Sequence, residues 1–274
     1  MQLVPGLPDF DNPPVIETVL GLRFRPISNF NVPHYGLYWE KIKKAYDRFE
    51  VHSPIVSAMD EIGSEAPIEG QILFNLPPGP HFRCWFIDES KNNLIQVQKD
   101  RFILNWRKVR GNESYPHYDY IRPTFENEWV RFCEMLEQEG METPEVSQCE
   151  VTYVNHIEFD NELTGCGELK RIVASWSGAS SGEFLPKVDK VSLNTSYAMP
   201  QKKGRLRISL QPVIRSRDGM EVLQLDVSAT GRPTSSKTPD ILEWLDLGRE
   251  WVVKGFADFT TPEMHMKWRR TNDR

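Results

Sequence analysis

The chain has 274 residues, with 33 Lys and Arg against 39 Asp and Glu, giving a net charge of −6 at pH 7. At 39% hydrophobic and 26% charged residues it has the composition of a folded protein, long enough for one large domain or two small ones. The acidic balance argues against wholesale attraction to nucleic acid or anionic membrane, and no apolar run approaches the roughly 18–20 residues of a spanning helix.

Residues 1–14 are punctuated by prolines and read as an extended lead, with no basic region that would mark a secretory signal. Val15–Arg25 alternates as a strand and Pro26 ends it. Tyr38, Ile42, Ala45 and Phe49 form the stripe of an amphipathic helix over 36–49. Two short extended pieces are expected around Val56 and around Ile72–Leu76, before the PPGP break at 77–80. His81–Arg107 reads as three short strands joined by turns. Phe102, Leu104 and Trp106 fall on one face of the last, Arg101, Asn105 and Arg107 on the other.

A helix capped by Thr124 carries Phe125, Trp129, Phe132 and Leu136 inward and closes at Gly140. Glu150–Phe159 alternates as a further strand, and a short helix over 168–176 leads into the loop SGASSG at 177–182. Strands follow at 188–198, 205–215 and 221–229, with RDG at 217–219 turning the last hairpin. Thr238–Pro239 starts a helix to about Lys254, and Thr260–Thr261–Pro262 starts a short terminal one ending in the basic KWRR.

Residues 15–140 and 146–259 share one order of elements: strand, helix, several antiparallel strands, long helix. After the lead at 1–14, these halves are expected to form one structural unit, followed by a short helix and basic tail at 260–274. The fold class is therefore α+β: two similar β-α-β(n)-α halves making an extended, curved antiparallel sheet with helices on one face.

Burying the apolar set of every strand beneath the helices leaves Arg23, Arg25, Gln96, Gln98, Arg101, Asn105, Arg107, His156, Arg205 and Arg207 on the uncovered face. Guanidinium and amide groups suit bidentate recognition of carboxylate, phosphate or peptide groups. A merely solvated face is the plain alternative, because strand alternation alone produces one. No nucleotide-binding loop, nucleophile elbow or zinc-protease motif occurs. His156 is the best acid or base among six dispersed histidines, although a hydrogen-bonded structural role fits it better. His117 in YPHY is read as packing rather than base stacking. Cys84, Cys133, Cys149 and Cys166 show no C-x-x-C spacing, so reduced thiols, no metal site, no cofactor and a cytoplasmic location are expected.

Several stretches resemble a sporadically distributed family of uncharacterised prokaryotic proteins of about this length. They are the P-P-V-I-E…L-G-L-R-F strand at Pro13–Phe24, the L-I-Q-V-Q-x-D-R-F-x-x-N-W-R block at Leu94–Arg107, YPHY, and the Y-x-N-H-I strand at 153–157. The late T-T-x-E-x-H-x-x-W-x-R pattern matches at Thr260, Thr261, Glu263, His265, Trp268 and Arg270. The resemblance implies one unit over nearly the whole chain, and a scattered occurrence typical of mobile accessory or defence-linked genes. It implies no activity.

The expected function is a non-catalytic recognition protein holding a partner protein through the polar sheet face, in an accessory, antitoxin-like or immunity-like role. One alternative is nucleic-acid binding through the same face, including Arg107–Arg110 and Lys267–Arg270. Another is an enzyme acting on a phosphorylated small molecule, with Arg groups as the anion clamp and His156 as acid or base. A homodimer pairing the open faces also fits the sequence.

Overall fold

The computed structural model describes residues 6–55, 82–159, 169–178, 184, 188 and 190–271. The strands β1 (Asp9–Phe10), β2 (Val15–Phe24), β3 (Arg48–His52), β4 (Arg83–Ile87), β5 (Asn93–Gln98) and β6 (Arg101–Arg107) belong to the first half. With them lie the helices α1 (Val32–Ile42) and α2 (Tyr118–Gln138). The second half holds β7 (Val146–Glu158), α3 (Leu169–Ile172), β8 (Leu193–Ala198), β9 (Arg205–Ile214), β10 (Glu221–Gly231) and α4 (Thr238–Phe259), then α5 (Pro262–Lys267) and β11 (Arg270–Thr271).

Nine strands make one antiparallel sheet in the order β3-β4-β5-β6-β2-β7-β10-β9-β8. Within this sheet the order reads alike outward from the centre: each half's first member lies innermost, its last member next, then the others in reverse. Pairing β2 with β7 makes one sheet from two and removes an exposed edge from each half. The helices pack on one side and the sheet is not closed. Beneath them Leu20, Phe102, Leu104, Val151, Leu225 and Val227 meet Trp129, Phe132, Leu245 and Val252 in one buried core. The lead does not trail away. Asp9 and Phe10 pair with Thr271 and Arg270, so β1 and β11 tie the two ends together.

Several boundaries differ from the sequence expectation. The first helix starts at Val32, with Asn31 and His34 bonding each other's backbone in a capping box, and stops at Ile42. Tyr38 and Ile42 are buried as expected, but Phe49 sits in the edge strand β3 and is 56% exposed. The second helix starts at Tyr118, not Thr124. Pro123 lies inside it, and the Thr124 hydroxyl donates to the Tyr120 carbonyl at 2.7 Å instead of capping. The extra turn is held by tertiary bonds: Tyr118 Oη and Arg122 Nε both donate to Asp246 on α4, at 2.9 and 2.8 Å. Its end follows the sequence, with Gly140 at φ +69° and the Met141 N–H on the Leu136 carbonyl at 2.8 Å. The third helix is a single turn and β8 begins only at Leu193. The extended pieces expected around Val56 and Ile72–Leu76, the PPGP break and most of SGASSG lie outside the described residues. Among the described residues, no helix is long and apolar enough to cross a membrane.

Candidate functional site

Alternation along the central strands decides which side chains meet on the uncovered face. In β6 these are Arg101, Ile103, Asn105 and Arg107, and in β2 Glu17, Val19, Gly21 and Arg23. The register sets Arg23 directly opposite Arg101, and Gly21 between Ile103 and Glu150. Further out, Glu150 faces Thr230, and Ser228 faces Arg207. Where a side chain at Gly21 would stand, the face instead dips into a pocket of about 220 Å³. Its lining includes Arg23, Arg101, Arg207, Gln148, Glu150 and Gly21.

The described lining of this pocket is rich in guanidinium groups. Arg101 is only 8% exposed, and among the described residues its Nε has no hydrogen-bond partner. Its nearest carboxylate, Asp100, stands off at 4.0 Å. Burial lowers its pKa, as does repulsion from Arg23 and Arg83, while Asp100 and Glu150 partly offset both. Arg207 reaches across from β9 and donates to the Thr230 hydroxyl at 3.0 Å. The Glu150 carboxylate accepts from Thr152 at 2.7 Å. Among the described residues the lining holds three guanidinium groups and one carboxylate.

The other expected site residues do not join them. Gln96, Gln98 and Asn105 lie on the face but are buried, at 7%, 8% and 3% exposure, as Arg101 is at 8%, so the expectation that these four stand exposed is corrected. They are consumed by one another and by neighbouring groups. Gln96 Nε2 donates to Asn105 Oδ1 at 2.7 Å, Asn105 Nδ2 donates to Glu17 at 2.6 Å, and Gln98 Oε1 accepts the Ile55 N–H at 2.8 Å. Arg25 lies beyond the end of β2 and pairs with Glu145 at 3.0 Å on the surface. Arg107 donates to the Lys91 carbonyl and lies over the Trp85 ring. Arg205 donates to Ser196 on the edge strand β8.

His156 stands six residues along β7 from Glu150, roughly 20 Å at strand rise, and so cannot serve the arginine pocket. Its neighbourhood is mixed, with Arg215 and Arg217 as well as Asp226 acting on the ring. Burial lowers its pKa, and Gln224 lies 3.4 Å from its Nε2. Glu17 and Asp226 share that end of the face, and burial raises both carboxyls above the usual range. The Gln224 amide donates to Asp226 at 3.0 Å.

Sequence reasoning missed Gly21, Gln148 and Glu150. A glycine inside a strongly alternating strand was the readable signal, because such a glycine marks a close approach. Gln148 lay outside the expected strand Glu150–Phe159, because β7 begins four residues earlier, at Val146.

Other concavities differ in character from the sheet pocket. A groove of about 410 Å³ between α4 and β9 is mainly apolar, and its Glu250 and Lys254 pair with each other at 2.5 Å. A cavity of about 50 Å³ at the seam of the halves holds Tyr115 and Tyr153, their hydroxyls 2.9 Å apart. Tyr115 also packs edge-on against Trp106, and Tyr118 opens α2, so YPHY is a packing element. Neither concavity gathers like charges as the sheet pocket does. Compared with protein-family models and with curated proteins, the chain finds no match.

Proposed function

We propose that this is a non-catalytic recognition protein, which holds a partner protein by an anionic group seated among Arg23, Arg101 and Arg207. One observation carries the reading: Arg101 is buried beside a second arginine and, among the described residues, has no carboxylate closer than Asp100 at 4.0 Å and no partner for Nε. A buried charge left so is costly, and an anion entering the pocket would remove that cost. The distance to His156 leaves the pocket without that acid or base, which favours recognition over catalysis. The net charge of −6 favours a discrete anionic group over a nucleic-acid backbone. An accessory role of the antitoxin or immunity type is the setting that the family resemblance suggests.

The test is affinity capture from the native host with the wild-type chain and with an Arg101→Gln/Arg207→Gln variant of the same fold. The expected result is a partner that the wild type retains and the variant loses. A variant that captures the same partner equally well contradicts the reading. Capture of nucleic acid, with affinity falling steeply as salt rises, would replace it with the nucleic-acid alternative.

A further inference from the structure

We infer that two copies of this chain pair edge to edge, β8 against β8 of the second copy, about a two-fold axis through Thr195. This goes beyond the reading of the arginine pocket and does not depend on it. The two ends of the sheet are unlike. At one end, β3 carries Arg48, Glu50 and His52, and charged side chains are a common guard on an exposed edge. At the other, β8 reads LNTSYA, six residues without a charge or a proline. Among the described residues β8 pairs with β9 alone. Asn194, Ser196, Tyr197 and Ala198 are exposed, Tyr197 to 47%. An unguarded edge of this kind is a template for a further strand.

The end of the β8–β9 ladder shows where the free backbone groups point. The Met199 N–H donates to the Gly204 carbonyl at 2.9 Å, one step beyond the pair Ala198–Arg205. Backbone groups alternate in direction along an antiparallel strand, so those of Leu193, Thr195 and Tyr197 turn toward β9. The N–H and C=O groups of Asn194, Ser196 and Ala198 therefore point out of the sheet.

The sequence of β8 selects a second copy as the occupant. Antiparallel pairing centred on Thr195 sets Leu193 against Tyr197 of the second copy, Asn194 against Ser196, and Thr195 against itself. The outward groups of Asn194 then meet those of Ser196, so the backbone ladder and the side-chain register agree. Leu193, Thr195 and Tyr197 stand opposite Leu210, Ile208 and Leu206, on the face that the helices cover. The Leu193–Tyr197 contact thus falls beside the apolar groove between α4 and β9, which Tyr197 helps to line. On the other face an amide meets a hydroxyl. Thr–Thr pairs are among the favourable cross-strand neighbours, and no like charges are opposed. The axis keeps both helix layers on one side and leaves the open faces clear, unlike a dimer that pairs those faces.

Sedimentation velocity of the full chain across a concentration series reads the assembly. The wild type should pass from monomer to dimer as concentration rises. Asn194→Glu/Ser196→Glu opposes carboxylates on both sides of the axis and should raise the dimer dissociation constant at least about tenfold. Asn194→Lys/Ser196→Glu alters the same two positions but sets lysine against glutamate, and should dimerise at least as well as the wild type. That comparison separates a lost interface from a folding defect. Thr195→Cys, which lies on the axis, should form a disulfide-linked dimer under mild oxidation, beyond any formed by the wild type. A wild-type chain that stays monomeric at its highest soluble concentration overturns the inference and leaves the edge to a strand of another protein. So does a dimer that persists in Asn194→Glu/Ser196→Glu, or one that Asn194→Lys/Ser196→Glu fails to keep.

Discussion

A guanidinium withdrawn from water opposite a second guanidinium raises the free energy of the folded chain, so Arg101 and Arg23 sit together at a cost. Replacing Arg101 by Met keeps much of the stem's packing and removes the repulsion. Without ligand, Arg101→Met should therefore raise the urea midpoint at unchanged slope, a gain in stability of about 1 kcal/mol. A midpoint that falls by that amount would mean the charge is neutralised within the fold. The carboxyls at the far end of the face report through pH. Burial first of all raises Glu17 and Asp226, so between the usual carboxylate pKa and their folded values the native chain binds more protons than the unfolded one. Stability contributed by these groups is then full below that window and is lost as pH rises through it. Glu17→Gln should flatten the decline in melting temperature above about pH 4, measured by thermal scans across the acidic range. An unchanged profile would place the shift elsewhere. At this scale the sequence was only half legible. Alternation assigned Arg23, Arg101 and Arg207 to the correct face. It could not show that Gln96, Asn105 and Glu17 bond one another, because that depends on the register between β5, β6 and β2.

Among the elements, β2 shows how pocket and strand compete. Glycine weakens a strand interior, yet the space beside Gly21 admits a Cβ at ordinary contact distance. Gly21→Val should hold or raise stability, by up to about 1 kcal/mol, while filling the pocket. Chemical denaturation measures it, and a large loss of stability would show that the glycine serves the sheet and not a ligand. The terminal helix α5 gives an independent check. The Thr261 hydroxyl caps it by accepting the Met264 N–H and also donates to the Arg171 carbonyl. Thr261→Ala should cost about 1–2 kcal/mol in the same assay. This cap could be read from Thr-Thr-Pro, as could Gly140, because both are local signals. The start of α2 could not. Pro123 and Thr124 imitate a helix start, and the turn before them persists through bonds to Asp246, which lies more than a hundred residues away.

In the whole molecule, the order of elements was legible because alternation marks the strands and apolar stripes mark the helices along the chain. The seam could not be read from a residue pattern. Any strand with one buried face might have paired with β2, and β7 does so over nearly its full length. That seam, the shared core, and the β1–β11 ribbon joining the chain ends couple the halves. Calorimetry should accordingly show one unfolding transition with equal calorimetric and van't Hoff enthalpies, whereas two resolved transitions would separate the halves. The coupling matters for function because Arg23 and Arg101 come from one half and Arg207 from the other, so the pocket exists only across the seam. The most direct measurement is a crystal of the wild-type chain soaked with tungstate, a heavy dianion of tetrahedral shape. The account predicts an anomalous peak within hydrogen-bonding reach of Arg101 Nε, bounded by Arg23 and Arg207. Tungstate bound elsewhere, with that pocket empty, would contradict it.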